Sequence, residues 1–482
     1  MKYTEGNTVK QQAIDEELLV NGTKGKKKVG DSGMEEDDEC PGPTMIDFIS
    51  QMPDDILVKI LSLLPLKNAV ITGILSKRWR FVWPYLKRLD FDGSDALDEM
   101  DEKLCVVEEA KYINQVNNVI RSHVSPTLQF FRIRFNLDKT YSKDIDDWIR
   151  YAFDKKVELL ELNLFERHHK PRDTKDNYDL PLPLLEGSMV HLSEWPSSSS
   201  MVVETLSLKK LLLMRVNVSE PSLIGWLKNS PRLETLYLYG SGLMTKVNVG
   251  GRDINLKHFM LMGWAELQSI SLCDFDLEKF MYIGREIEIS LTNLSKLKEL
   301  DIGQVSVGLN NKVFSMISCV ASTLEILSLD IDRQKEDIPI NVPGFPVLPN
   351  VKTLNLTLPT ELDDTIIEYI EIGKKCRSLE TFTISLHWCA PITKKKTCSN
   401  IFGHCFKHVK ISGYRGIRSD VQIALYMIGN AENITIDPSC HPYDLIELSE
   451  SEAMKREEAG RSHAKLKLSS RVFHPQVKLV VL

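Results

Sequence analysis

The 482-residue sequence predicts an α/β fold in which a small three-helix module precedes a solenoid whose parallel strands line a concave face. Three observations carry this expectation. The segment Met52 to Trp83, MPDDILVKILSLLPLKNAVITGILSKRWRFVW, concentrates apolar residues at helical spacing. Beyond it, a core of the form apolar-x-x-apolar-x-apolar recurs as far as Ile436. From Leu208 to Ala431 the steps between its first positions are 25, 23, 21, 20, 27, 27, 28, 27 and 25 residues, a period that belongs to stacked repeats.

Residues 1–44 are polar and charge-blocked, with Lys24, Lys26, Lys27 and Lys28 followed by Glu35, Glu36, Asp37, Asp38 and Glu39. Such a stretch buries too little surface to offset chain entropy and is expected to be a disordered tail. Its lysines read first as a solvated run and second as a nuclear-import signal. In the apolar segment, Pro53 suits the first helical position, and Asp54 and Asp55 complement the helix dipole in the first turn. Ile56, Leu57, Ile60, Leu61 and Leu64 form a stripe that Pro65 ends. A second short helix is expected over about Lys67 to Ile74. A third, capped by Ser76, carries Trp79 and Trp83 on one face and stops at Pro84. Three helices this short cannot hide all their apolar faces, so the solenoid or a partner must cover the remainder.

The repeat cores are LKRLDF from Leu86, LQFFRI from Leu128, LLELNL from Leu159, LKKLLL from Leu208, LETLYL from Leu233 and LKHFML from Leu256. They continue as LEKFMY from Leu277, LKELDI from Leu297, LEILSL from Leu324, VKTLNL from Val351, LETFTI from Leu379, FKHVKI from Phe406 and AENITI from Ala431. The fourth and sixth positions share one side of a short strand and the first turns in beside them, leaving an apolar edge that only neighbouring units can cover. The steps of 31 and 49 residues before Leu208 imply inserted loops, and NKVFSMISCVAS and DDTIIEYIEIGKKC are expected as helices on the convex side. In residues 438–482, SEAMKREEAGRSHAKLKL reads as a helix and VKLVVL as a last strand, together closing the open end.

The fifth and seventh positions alternate with the core pair and face the concave side. They are Leu212, Met214, Tyr237, Tyr239, Met260, Met262, Met281 and Ile283, then Asp301, Gly303, Ser328, Asp330, Asn355, Thr357, Thr383 and Ser385. The face thus changes from apolar to polar near residue 300. With Trp264 from an adjoining loop, the apolar half is a candidate docking surface, unless loops near 166–205 or 241–253 fold over it.

Other chemistry is disfavoured. With 60 Lys+Arg against 67 Asp+Glu, the net charge of -7 gives no general attraction to nucleic acid. Nine scattered cysteines and no N-terminal apolar leader suggest free thiols in a reducing compartment. No run of 18 apolar residues suggests a membrane span. The expected setting is therefore the nucleus and/or the cytoplasm. His387, Cys389, Cys398, His404 and Cys405 cluster, but their separations fit no paired zinc knuckle, and His168-His169 has no triad partners. No metal, cofactor or catalytic residue is expected.

At the residue level, the opening segment is similar to the F-box of plant F-box proteins. Met52-Pro53 stands for a Leu-Pro entry, and ILSKRW, Ile74 to Trp79, matches the third-helix pattern. An F-box at 45–85 followed directly by leucine-rich repeats at 86–437 resembles the plant F-box/LRR family. HVKISGYRGIRSDVQIALYMIGNAENITI, within 406–437, is similar to the FBD region that ends many of its members. The resemblance implies a non-catalytic substrate-recognition subunit of a Skp–cullin–F-box ubiquitin ligase. In that assembly the F-box docks a Skp-type adaptor, a cullin is reached indirectly, and an unknown protein substrate sits on the repeats. It implies adaptor contacts at Met52, Pro53, Ile56, Leu57, Ile60, Leu61, Leu64, Val70, Leu75 and Trp79, with Trp83 against the first repeat. Substrate contacts are expected at Leu212, Met214, Tyr237, Tyr239, Met260, Met262, Trp264 and Met281. Two alternatives remain: a protein that engages the adaptor without substrate turnover, and a small-molecule sensor. The sensor would need Lys and Arg clustered at successive concave positions, and the sequence lacks such a cluster.

Overall fold

The computed structural model describes residues 51–74, 78–94, 105–164, 174–184, 200–202, 205–240, 242–264, 266–304, 311–331, 344–359, 371–387, 406–440, 450–471 and 477–482. The tail 1–44, Leu75, Ser76, His168, His169 and the run from Cys389 to Cys405 lie outside them. The chain forms two compact units, residues 1–170 and 171–482.

In the first unit, DDILVKIL is a helix over Asp54–Leu61 with both acidic residues in its first turn. Pro53 is its N-cap, one residue before the position the sequence suggests, in an extended conformation that proline's fixed φ favours. The Arg78 guanidinium reaches Asp54 Oδ1 from Nη2 (2.6 Å) and Nε (2.9 Å) and also donates to the Met52 carbonyl. That contact clamps the helix start to the segment beyond the second helix. The second helix is Leu66–Ile71 and tightens into a 3₁₀ turn at Thr72–Ile74. Where a third helix is expected, the described residues form two 3₁₀ turns, Trp79–Phe81 and Trp83–Tyr85. Pro84 lacks an N–H and crowds the turn before it, and the aromatic and β-branched residues of WRFVW have little helical preference of their own. Leu57, Leu61, Leu66, Ala69, Trp79, Val82 and Trp83 are buried.

Three parallel strands follow in this unit, Arg88–Asp92, Phe130–Arg134 and Leu159–Asn163. Their register aligns Leu89 with Phe131 and Leu160, and Phe91 with Ile133 and Leu162. The third core is therefore Val157, Leu160 and Leu162, two residues before the expected LLELNL frame. A two-residue slip preserves side-chain parity, so alternation alone cannot detect it. Leu159 faces outward instead.

Helices Cys105–Ser122 and Ser142–Asp154 pack behind these strands through Tyr112, which stacks on Phe135 at 4.3 Å, and through buried Trp148 and Ile149. His123 ties the end of the helical module to this layer. Its Nε2 lies 2.7 Å from the Leu86 carbonyl, which can only accept, so that nitrogen carries the proton and Nδ1 accepts from the Tyr151 hydroxyl at 2.5 Å. The amides of Val124 and Ser125 donate to the Pro84 carbonyl beside it.

In the second unit the sheet strands are Lys210–Met214, Thr235–Tyr239, His258–Met262, Lys279–Gly284, Glu299–Gln304 and Ile326–Ile331. Thr353–Pro359, Thr381–His387, Phe406–Ser412, Ala431–Asp437 and the last strand, Lys478–Val481, complete it. Every pairing is parallel, and neighbours follow chain order. One hydrogen-bond device repeats at the strand entrances: the second-position carbonyl accepts from two successive amides of the next unit. Lys209 does so from Glu234 and Thr235, and Glu234 from Lys257 and His258. Arg215, Gly240 and Gly263, each just past a strand, have φ of 59°, 69° and 69° and turn the chain away.

Step length decides what returns the chain. Steps of 25 or 27 residues hold the helices Glu220–Asn229, Asn311–Val320 and Arg418–Ile428. The steps of 23, 21 and 20 residues hold strands Lys246–Gly250, Ser269–Cys273 and Glu288–Thr292 instead, paired as a second parallel sheet. After a strand and two reversals, too few residues remain for a helix of two turns or more. Residues 242–253, where the alternative to a docking surface puts a loop folded over the concave face, instead supply strand Lys246–Gly250 of this second sheet. Of DDTIIEYIEIGKKC, only the 3₁₀ turn Glu371–Lys375 lies within the described residues of regular structure. At the far end the helix Glu450–His463 runs into a π turn at Ala464–Leu468, and Arg461 Nε donates to the carbonyl of Leu482 at 2.8 Å, which holds the helix to the last strand as a cap.

Candidate functional surfaces

On the helical module, structure and sequence disagree about which apolar groups are available. Leu57 and Leu61 are 0% exposed and Trp79 is buried, so these three expected adaptor contacts are core residues. They follow helical periodicity because periodicity reports the buried face. Met52, Ile56, Ile60 and Val70 are half-buried, Pro53 and Leu64 are exposed, and Leu75 lies outside the described residues. The most open apolar side chains are ones that periodicity misses: Leu63 (84%), Ile74 (66%) and Phe81 (64%), with Ile71 and Tyr85 beside them in sequence. Leu63, Ile74 and Phe81 lie in turns, where a 3.6-residue period says nothing about direction. The turns Thr72–Ile74 and Trp79–Phe81 are in close contact, since a Cβ on Gly73 would meet Arg80 Cα at 3.3 Å. Ile74 and Phe81 therefore project from adjacent turns.

The second surface is the strand-lined face of the second unit. Register places Leu212, Tyr237, Met260, Met281, Asp301, Ser328, Asn355 and Thr383 in one row across successive strands. Met214, Tyr239, Met262, Ile283, Gly303, Asp330, Thr357 and Ser385 form the next. The apolar members of both rows are half-buried, and the Tyr237 hydroxyl reaches Met262 Sδ at 3.2 Å. Beyond the apolar half, Asn355 Nδ2 donates to Ser328 Oγ at 3.0 Å. Burial pushes the Asp301 carboxyl up to about 6, opposed by the charge of Lys279 and reinforced by that of Glu299, which pair with each other at 2.5 Å. Trp264 does not join the face. It is 1% exposed, turned inward after left-handed Gly263, and its Nε1 finds no partner among the described residues.

A charge alternation readable in the sequence frames this face. Second positions run Lys209, Glu234, Lys257, Glu278, Lys298, Glu325, Lys352, Glu380, Lys407 and Glu432. Ion pairs link Glu234 to Lys257 (2.7 Å), Glu325 to both Lys298 (3.2 Å) and Lys352 (3.1 Å), and Glu380 to Lys407 (3.8 Å). Among the described residues no group of three or more His, Cys, Asp and Glu side chains could hold a metal, and no helix is long and apolar enough to cross a membrane.

Comparison with known proteins agrees with this two-part layout. Residues 49–90 match the F-box domain family, and residues 119–453 match the family described as At1g61320/AtMIF1, LRR domain. Among Arabidopsis thaliana proteins, the chain is 37% identical over 116 residues to the F-box/FBD/LRR-repeat protein At4g00160, covering 24% of each. It is 32% identical over 225 residues to the F-box/LRR-repeat protein At3g03360 (42% of this chain, 40% of the relative). It is 26% identical over 282 residues to the F-box protein At5g03100 (58% of this chain, 81% of the relative). Over the curated relatives it matches, the chain spans from about a quarter to four fifths of their length.

Proposed function

The chain belongs to the plant F-box/LRR-repeat proteins, and from that premise we propose that it is the substrate-recognition subunit of a Skp–cullin–F-box ubiquitin ligase. The observation that carries the proposal is the pair of adjacent turns that leave Ile74 and Phe81 open while Leu57, Leu61, Leu66, Ala69, Trp79, Val82 and Trp83 are buried. Large apolar side chains exposed side by side mark a surface that a partner covers. In this reading the Skp-type adaptor covers it and links the chain to a cullin, while the strand-lined face of the repeats holds a protein substrate. The chain breaks and forms no bond itself. It raises the local concentration of substrate lysines near a ubiquitin-charged enzyme. Such a protein works in the nucleus and/or the cytoplasm, where that machinery resides.

The test is ubiquitin-remnant proteomics in plant cells expressing the wild-type chain or the double variant Ile74→Asp, Phe81→Asp. Proteins that co-purify with both should gain ubiquitin only with wild type. Equal ubiquitination of the co-purifying proteins in both cultures refutes the ligase reading and favours a binding protein without turnover.

A further inference from the structure

The strand-lined face has a chemical direction, and its turning point is Asp301. Tyr237, Met260 and Met281 occupy the three strands before it, at the same register position. Ser328 occupies the strand after it. At Gly303 the missing side chain lets both neighbours close in: a Cβ there would meet Ile283 Cγ1 and Asp330 Cβ, each at 3.2 Å.

The local charge is negative. Lys279 and Glu299 neutralise each other, and the half-buried Asp301 carboxylate on the same strand as Glu299 adds a further negative charge. Among the described residues no donor hydrogen-bonds the Asp301 carboxylate. A half-buried carboxylate in that state is costly unless a cation meets it.

Resting on the ligase reading for its role, we infer that this face takes a protein segment bearing apolar side chains and, within about four residues of them, a Lys or Arg whose charge is received by Asp301. The spacing follows from the sheet. Tyr237 and Asp301 are three strand intervals apart, about 14 Å at about 4.8 Å per interval, which an extended segment spans in about four residues. Met and Tyr accommodate apolar side chains of differing shape, so the basic residue is the more selective element. The ionisable groups that act on Asp301 are Lys279, which favours its charged form, and Glu299, which opposes it. Burial has pushed Asp301 up to about 6, so mild acid removes its charge while the bound Lys or Arg keeps its own.

The test is selection of a random twelve-residue peptide display library on the immobilised full chain, in parallel with Asp301→Asn and with Met260→Lys. The wild-type chain should enrich peptides with two or more Leu, Met or aromatic residues and a Lys or Arg within about four positions. Asp301→Asn should keep the apolar preference and lose the basic one, and Met260→Lys should lose both. A synthetic enriched peptide should bind wild type severalfold more weakly at pH 5.5 than at pH 7.5, and Asp301→Asn equally at both. No enrichment over uncoated support, enrichment without a basic residue, or a basic preference that survives Asp301→Asn each overturns the inference. Adaptor binding by the same preparation, measured separately, distinguishes failure of this site from failure of the ligase reading.

Discussion

Replacing Phe81 with alanine separates the proposed docking role of the helical module from its folding. An aromatic side chain offers about 200 Å² of surface. With Phe81 64% exposed, about 130 Å² is open to a partner, which at about 25 cal/mol per Å² is worth roughly 3 kcal/mol. Ordering costs at an interface reduce this, so Phe81→Ala should weaken adaptor binding by about 1.5–3 kcal/mol, roughly ten- to a hundredfold in Kd. Leu57→Ala makes the contrast. Leu57 is 0% exposed, and its truncation should cost about 2–5 kcal/mol of folding stability. Isothermal titration of the full chain with purified Skp-type adaptor measures the first effect. Near-ultraviolet circular dichroism and thermal unfolding measure the second. A folded Phe81→Ala chain that binds within twofold of wild type refutes the assignment of the exposed turns as the docking surface.

Three further outcomes follow from the packing. Gly413 has φ +74°, and a Cβ there would run into the Leu386 carbonyl oxygen, so Gly413→Ala should destabilise the C-terminal repeats by about 2 kcal/mol or more, with hydrogen-exchange protection lost first in Phe406–Asp437; unchanged protection there contradicts the packing. Burial holds the His123 imidazole below its ordinary value near 6.5, so its neutral hydrogen bonds stabilise the folded state above that pH and the contribution is lost as pH falls. Thermal unfolding of wild type and His123→Asn should therefore converge between pH 7 and pH 5, and parallel curves count against the bridge to Leu86. Glu325→Lys places three lysines side by side on the exposed strand entrances and should lower the melting temperature in low salt, with the difference vanishing near 1 M salt as screening shortens to about 3 Å; a salt-independent difference points to packing instead.

What the sequence made legible was whatever repeats. The inward triads, such as Leu233, Leu236 and Leu238, and the outward rows follow from a two-residue period that parallel pairing copies from strand to strand. Step lengths also encoded the return layer, because 20 residues admit a strand where 27 admit a helix. The third core slipped by two because Leu159 and Leu164 are as apolar as Val157 and Leu160, and parity is blind to the choice. The proposed docking surface was only half legible. Leu57 and Leu61 announce a helix face, but that face is spent on the module's own core, whereas Ile74 and Phe81 become available through turns that have no period. Trp264 shows the same limit: a large aromatic one residue past a left-handed glycine can turn in or out, and here it turns in.

The central claim is that the open turns of the helical module join this chain to an adaptor and, through it, to a cullin. Light scattering on size-exclusion fractions of the mixed purified full chain, Skp-type adaptor and cullin tests that claim most directly. The prediction is a single species containing one copy of each, with the chain contributing its 55.0 kDa, that dissociates to free chain when Ile74 and Phe81 are both replaced by aspartate. A properly folded wild-type chain that elutes alone at 55.0 kDa, with adaptor and cullin in a separate peak, contradicts it.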